Sequence, residues 1–316
     1  MSEIGELVAA ALDGKREALA RLLSIAERGG AAVLEIEERI RPRVGGAWVV
    51  GVTGPPGAGK STLINALLPH AQAAMGKAAV LAVDPSSPFS SGAILGDRVR
   101  MQGRTFGPSV FIRSMASRGE MGGLARAAST CVRLFDACGW PVVIVETLGI
   151  GQVELDIMDL ADSVVVVLNP GWGDTIQANK AGLTEAGDVF VINKADKPGA
   201  QQTRKDLLES LALLAKEPKP EIVETVATAS EGVGALWQAI EAQRSLLMDS
   251  TEMSDRRALR HRRLVKKTIA HQIEHSIARL LASERGERLI ADASLGEIDL
   301  SRTIAQVLAI LSHDLK

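Results

Sequence analysis

Gly51-Val-Thr-Gly-Pro-Pro-Gly-Ala-Gly-Lys-Ser-Thr62 decides the fold. It contains Gly54-x4-Gly59-Lys60-Ser61, directly after the apolar run Trp48–Val52 and directly before a helical stretch at Leu63–Leu68. A strand, a glycine-rich turn and a helix in that order form a phosphate cradle. Gly54, Gly57 and Gly59 allow the backbone N–H groups to turn inward, and Pro55, Pro56, Ala58 and Thr62 complete the loop. The helix N-terminus that follows contributes its partial positive charge. In this pattern Lys60 is expected to reach the β- and γ-phosphates of a nucleotide, and the Ser61 hydroxyl to ligate Mg2+.

Outward from the loop, residues 46–248 alternate short Val-rich runs with helical stretches. The runs are Trp48–Val52, Val80–Val83, Val110–Ile112, Val142–Val145, Val164–Leu168 and Val189–Ile192, with Ile222–Val226 as a seventh. Such runs read as strands buried on both faces. The spacing therefore predicts an α/β fold of the P-loop NTPase kind, with a mainly parallel sheet flanked by helices and helical extensions at both ends. Residues 1–45 form an N-terminal helical segment, broken at Gly29-Gly30 and closed by Pro42 and Gly45-Gly46. Residues 249–316 return to helix, with Val265, Ile269, Ile273, Ile277 and Leu281 spaced as one apolar stripe.

Three carboxylates are candidates for the metal. Val142–Val145 runs into Glu146-Thr-Leu-Gly149, the position of an Asp-x-x-Gly segment with Glu in place of Asp. Glu146 is expected to hold Mg2+ directly or through water, and the Gly149 N–H to sense the γ-phosphate. Asp84 closes Val80–Val83 and Asp97 follows Gly92–Gly96; oxygen-rich, partly hydrated coordination suits one to three of these groups. Many GTPases place a water-orienting Gln directly after that glycine. Ile150 stands there instead, and Gln152 lies two further on, so slow turnover is expected until a partner reshapes the loop. Base choice is read from Val189–Ile192 running into Asn193-Lys194-Ala-Asp196. The Asp196 carboxylate can accept from guanine N1–H and the 2-amino group, which adenine does not present; sites built on such bonds reject the wrong partner by roughly 10⁴–10⁵. The backbone at Val226, Ala227 and Thr228 is expected to finish the base pocket.

Together, the loop at 51–62, Ala82-Val-Asp-Pro-Ser-Ser87, Gly92-Ala-Ile-Leu-Gly-Asp-Arg98, Val145-Glu-Thr-Leu-Gly-Ile-Gly-Gln152 and Asn193-Lys-Ala-Asp196 resemble the MeaB/MMAA family. These are G-protein chaperones of adenosylcobalamin-dependent acyl-CoA mutases, also described as ArgK or LAO/AO transport ATPases. The resemblance implies GTP and GDP as ligands, a homodimer using the C-terminal helices as its arm, and GTP-gated delivery of the cobalamin cofactor to a mutase. An adenosyltransferase is a second partner in this reading. It also implies a further switch after Val164–Leu168, at Asn169-Pro-Gly-Trp-Gly-Asp-Thr-Ile-Gln-Ala-Asn-Lys180. There Asp174, Gln177 and Lys180 match the residues that couple nucleotide to mutase, while Asn169 and Trp172 depart from the usual pattern. Trp172, a large apolar residue among glycines, reads as a contact for another protein. The strand feeding this loop is expected beside the Glu146 segment, which would set the loop near the phosphates.

Composition narrows the alternatives. With 46% hydrophobic and 23% charged residues and a net charge of −2, the chain is an ordinary globular protein without the positive field that nucleic acid or an anionic membrane would attract. The basic run Arg256, Arg257, Arg260, Arg262, Arg263, Lys266, Lys267 carries no interleaved aromatics and reads as a solvated or ion-paired face. No secretory leader and no membrane span is read, which points to the cytoplasm. Cys131 and Cys138 read as packing residues. A nickel metallochaperone of the same P-loop class is the rival reading, but it needs clustered Cys and His ligands. Only His271 and His275 stand at a metal-friendly spacing.

Overall fold

The computed structural model describes residues 2–84, 106–116, 121–147, 160–171, 184–185, 187–214, 218–249 and 251–314. Seven strands among them form one sheet: β1 Trp48–Thr53, β2 Ala78–Asp84, β3 Val110–Ala116, β4 Val142–Thr147, β5 Ser163–Leu168, β6 Val189–Asn193 and β7 Glu221–Thr225. The order is β3-β2-β4-β1-β5-β6-β7 and every pairing is parallel. The helices are α1 Glu3–Leu12, α2 Arg16–Arg28, α3 Ala32–Ile40, α4 Lys60–Met75, α5 Met121–Ala137, α6 Ala200–Ala212, α7 Val233–Met248, α8 Glu252–Leu281, α9 Glu284–Ser294 and α10 Leu300–Asp314.

The Val-rich runs are strands because both faces of the sheet are covered. Alternate residues of one strand enter two different cores. Trp48, Val50 and Val52 of β1 pack with Leu63, Ile64 and Leu67 of α4 and Leu236 and Ile240 of α7. Val49 of β1 and Val143 and Val145 of β4 pack with Leu134 and Phe135 of α5. Leu22, Leu23, Ile36 and Ile40 are fully buried in that second cluster, so the N-terminal helices form a further layer over α5. Truncating any one of these leucines or isoleucines to Ala should cost about 2–5 kcal/mol.

The sequence pattern and the structure differ in four places. The N-terminal helices break at Gly14 (φ 88°) as well as at Gly29-Gly30, because a short turn lets α1 fold back on α2. The strands run past the apolar runs into Thr53, Asp84, Thr147 and Asn193, polar residues that end them at the carboxyl edge of the sheet. Val226 lies beyond β7, in an antiparallel bridge with Glu231. Finally, β5 does not adjoin the Glu146 strand: β1 lies between β4 and β5, since β1 pairs with both. The chain divides into two compact units, Met1–His261 and Arg262–Lys316. In the second, Ser283 caps α9 by accepting from the Gly286 N–H at 3.3 Å. No helix among the described residues is long and apolar enough to cross a membrane.

Candidate functional site

In an open parallel sheet, ligand sites gather at the carboxyl ends of the strands where the strand order reverses. β1 occupies that position, with β4, β2 and β3 on one side and β5 to β7 on the other. The loop that leaves it is held in a shape only glycine permits at two points. Gly54 has φ 137° and a Cβ there would stand 2.0 Å from the Val167 carbonyl oxygen on β5; Gly59 has φ 92° and a Cβ would stand 2.4 Å from Asn193 Nδ2. Lys60, the first residue of α4 and 5% exposed, donates from Nζ to the Gly54 and Pro55 carbonyl oxygens at 2.7 and 2.9 Å. Its ammonium is thus folded back over the loop.

The neighbouring hydroxyl and carboxylate meet between the first turn of α4 and the end of β4. Ser61 Oγ donates to Glu146 Oε1 at 2.6 Å, and Glu146 is 1% exposed. Beneath them Thr147 Oγ1 donates to Thr53 Oγ1 at 3.3 Å. Among the described residues no group of three or more His, Cys, Asp or Glu is placed to hold a metal ion. The Ser61–Glu146 pair nevertheless supplies the hard oxygen donors that suit Mg2+ together with water and phosphate oxygens. Asp84 ends β2 at the same edge. Asp97, Gly149, Ile150 and Gln152 lie outside the described residues, as do Trp172, Asp174, Gln177 and Lys180.

Asn193 joins the phosphate loop to the loops of the expected base pocket. Its Nδ2 donates to the Ala58 carbonyl oxygen at 2.8 Å, while its Oδ1 accepts from Thr225 Oγ1 and from the Ala227 N–H, both at 3.1 Å. Lys194, at φ 60°, donates from Nζ to the Gly57 carbonyl oxygen at 2.7 Å. The Ala195 N–H is taken by the Thr225 carbonyl oxygen at 3.1 Å. Val226, Ala227 and Thr228 form the turn that follows, closed by the Val226–Glu231 bridge, and Asp196 stands exposed beside it. Thr225 was not anticipated; its signal is a lone hydroxyl at the end of a strand, facing the Asn of the preceding one.

The opposite, amino edge of the sheet holds a second set of charges. Asp162 and Asp188 stand just before β5 and β6, almost fully buried. Asp162 accepts from Arg257 Nε and Nη2 at 3.0 Å each, from Arg260 Nη2, and from the Val49 N–H at 2.9 Å. Asp188 accepts from Arg256 Nη1 at 3.0 Å and from the Val164 N–H at 2.9 Å. Burial alone would raise the Asp162 carboxyl, but the Arg257 hydrogen bond and the charges of Arg260 and Arg257 reverse this and hold it below its ordinary value. The first three arginines of the basic run are therefore ion-paired.

Cys131 is buried and Cys138 half-buried, both as free thiols.

The sheet, the strand–loop–helix at 48–75 and the geometry of 54–60 define a P-loop nucleotide-binding protein. Residues 19–281 match the family model of the methylmalonyl-CoA mutase-associated GTPase MeaB, and the chain belongs to that family. A Pyrococcus abyssi protein named as a GTPase is 43% identical over 303 residues, 94% of this chain and 93% of its own. The GTPase ArgK of Escherichia coli is 36% identical over 237 residues, 72% of each chain. A crystal structure of an LAO/AO transport system kinase superimposes with a TM-score of 0.73 at 25% identity, covering 99% of both chains.

Proposed function

We propose that this member of the MeaB family is a Mg2+-dependent GTPase that acts as chaperone to an adenosylcobalamin-dependent acyl-CoA mutase. In this reading it gates cofactor delivery, protects or reactivates the mutase, and works in the cytoplasm as a homodimer. It hydrolyses GTP to GDP and phosphate slowly alone and faster with its partner. The observation that carries the nucleotide half is the Asn193 bridge: one amide ties Ala58 in the phosphate loop to Thr225 and Ala227 beside Asp196. That arrangement suits a ligand with phosphates at one end and a guanine at the other.

Each residue has a role in this reading. The N–H groups of 54–62 surround the phosphates, and Lys60 exchanges the carbonyl oxygens of Gly54 and Pro55 for the more strongly accepting β- and γ-phosphate oxygens. Ser61 and Glu146, with Asp84 and Asp97 as further carboxylates, hold Mg2+, which when bound offsets charge on the β- and γ-phosphates. Asp196 accepts from the guanine. Gly149 senses the γ-phosphate and Gln152 positions water once a partner has reshaped its loop. Trp172, Asp174, Gln177 and Lys180 carry the signal to the mutase. Residues 249–316 form the dimerisation arm after the G domain of 46–248 and the N-terminal segment of 1–45. In support, Val265, Ile269 and Ile273 on α8 are exposed, an apolar stripe that a second copy would cover.

The test is GTP turnover with and without a cobalamin-dependent acyl-CoA mutase, repeated for Lys180→Ala and Gln177→Ala. Coupling of this kind is typically about 5–150-fold. Absence of both stimulation and nucleotide-dependent binding ends the chaperone reading. Stimulation that both variants retain keeps the role but moves the signal out of 169–180. Light scattering on the full chain checks the dimer; a monomer at micromolar concentration removes it.

A further inference from the structure

Helix α4 carries the phosphate loop at its start and runs for 16 residues, about 24 Å at ~1.5 Å per residue. Beyond its far end a cavity of about 330 Å³ opens between the Gly14 turn, Gly76-Lys77 and the residues leading into β3. That volume lies at the lower end of the range for small-molecule sites, about 300–1,000 Å³. Lys15, Arg16 and Lys77 line it and no carboxylate does. Among the described residues none of the three cations forms an ion pair.

Arg16 is held in place without being neutralised. Its guanidinium donates to the carbonyl oxygens of Pro108 and of Val110 (2.8 Å for the second), and lies 4.8 Å from the ring centre of Phe111 and 5.6 Å from that of Trp140. Those two bonds use two of its five N–H donors. Lys77 Nζ stands 5.9 Å from the Trp140 ring centre. Leu19 and Trp140 supply an apolar wall, and the half-buried Cys138 thiol, pushed up to about 11 by burial, adds a neutral polarisable group. Packing accounts for the two carbonyl bonds of Arg16. It does not account for three cations around one cavity with no acid among its lining residues.

We propose that this pocket binds a small phosphate monoester, its dianion between Lys15, Arg16 and Lys77 and its apolar body against Leu19 and Trp140. Three unmatched positive charges favour a dianion over a single carboxylate, and the volume accommodates a one-ring body.

The probe is phenyl phosphate, titrated by calorimetry into the full-length protein with GDP present to occupy the phosphate loop. Benzoate serves as the monoanionic comparison. One site is expected, weaker for benzoate, and weakened at least tenfold by Lys77→Glu and by Lys15→Glu. Both lysines are exposed, so neither reversal should disturb folding, which circular dichroism checks. The chain has two cysteines and Cys131 is fully buried, so iodoacetamide labelling reads Cys138 alone. Phenyl phosphate should slow that labelling in the parent and not in Lys77→Glu. Absence of binding, affinity indifferent to both reversals, or labelling of Cys138 that ignores the ligand would each overturn the assignment. Tighter binding of benzoate than of phenyl phosphate would overturn the phosphate class.

Discussion

The two edges of the sheet set different groups around their charged residues. At the amino edge Asp162 and Asp188 are met by Arg256, Arg257 and Arg260 and by the N–H groups of Val49 and Val164, so charge is matched inside the fold. At the carboxyl edge Glu146 meets a neutral hydroxyl, Lys60 rests on carbonyl oxygens, and Asp196 faces solvent. Burial of a charge is costly unless it is matched. An edge that matches it with arginine serves the fold, whereas one that rests an ammonium on backbone carbonyl oxygens of a phosphate loop is suited to a ligand. The same kinds of residue thus have different uses, and the partner, not the residue type, tells them apart.

That contrast can be broken most forcefully at the amino edge. Asp162→Ala leaves two arginines facing a buried void and should cost about 3–5 kcal/mol in urea denaturation, with GDP affinity unchanged in the folded protein. A parallel fall in GDP affinity would show that the edges are not independent. Lys60→Ala should do the reverse, lowering GTP hydrolysis about 10²–10³-fold, the usual scale for losing one group that stabilises developing charge. Turnover near the parent rate would remove Lys60 from the chemistry. Asp196→Asn should weaken GDP binding by about ten- to a hundredfold and shift preference toward xanthine nucleotides, measured by calorimetry. If ATP binds the parent as tightly as GTP, the base-pocket assignment is wrong.

The smallest effect is in acid. Because the Asp162 carboxyl sits below its ordinary value of 3.8, its contribution to stability is complete above that value and is lost as pH falls through the lowered one. Denaturation midpoints followed below about pH 4 should drop more steeply in the parent than in Asp162→Asn. Equal slopes would mean that another carboxylate governs acid unfolding.

The carboxyl edge was largely legible in the sequence and the amino edge was not. Glycine spacing, Lys60, Ser61 and the Asn193–Asp196 run sit in contiguous patterns, and the Val-rich runs need cover on both faces, so sheet and loop follow together. Asp162 and Asp188 belong to no pattern. Each is a single acid before an apolar run, and its meaning depends on arginines some 70 to 100 residues later. Arg256, Arg257 and Arg260 read as a solvated or ion-paired face because helical spacing shows which side they share but not what approaches it. The neighbours of β5 were misjudged for a related reason: crossovers fix chain direction in a parallel sheet, while strand order rests on packing between distant segments. A repeated feature was available, since an Asp or Asp-Ser stands immediately before both of these buried Val-rich runs.

The contacts at Gly54 and Gly59 also bear on the order of events during synthesis. The phosphate loop lies within the first 60 residues, but it packs against the Val167 carbonyl oxygen and the Asn193 amide, more than 100 residues further along the chain. Domains fold largely as units as they emerge, and distant pairings close late because the intervening chain must first be ordered. Until β5 and β6 have left the ribosome, 54–59 has its local bonds from Lys60 but neither of these distant supports. A nascent chain stalled near residue 160 would display the whole motif and still lack the site, so nucleotide capture reports that the central sheet is complete.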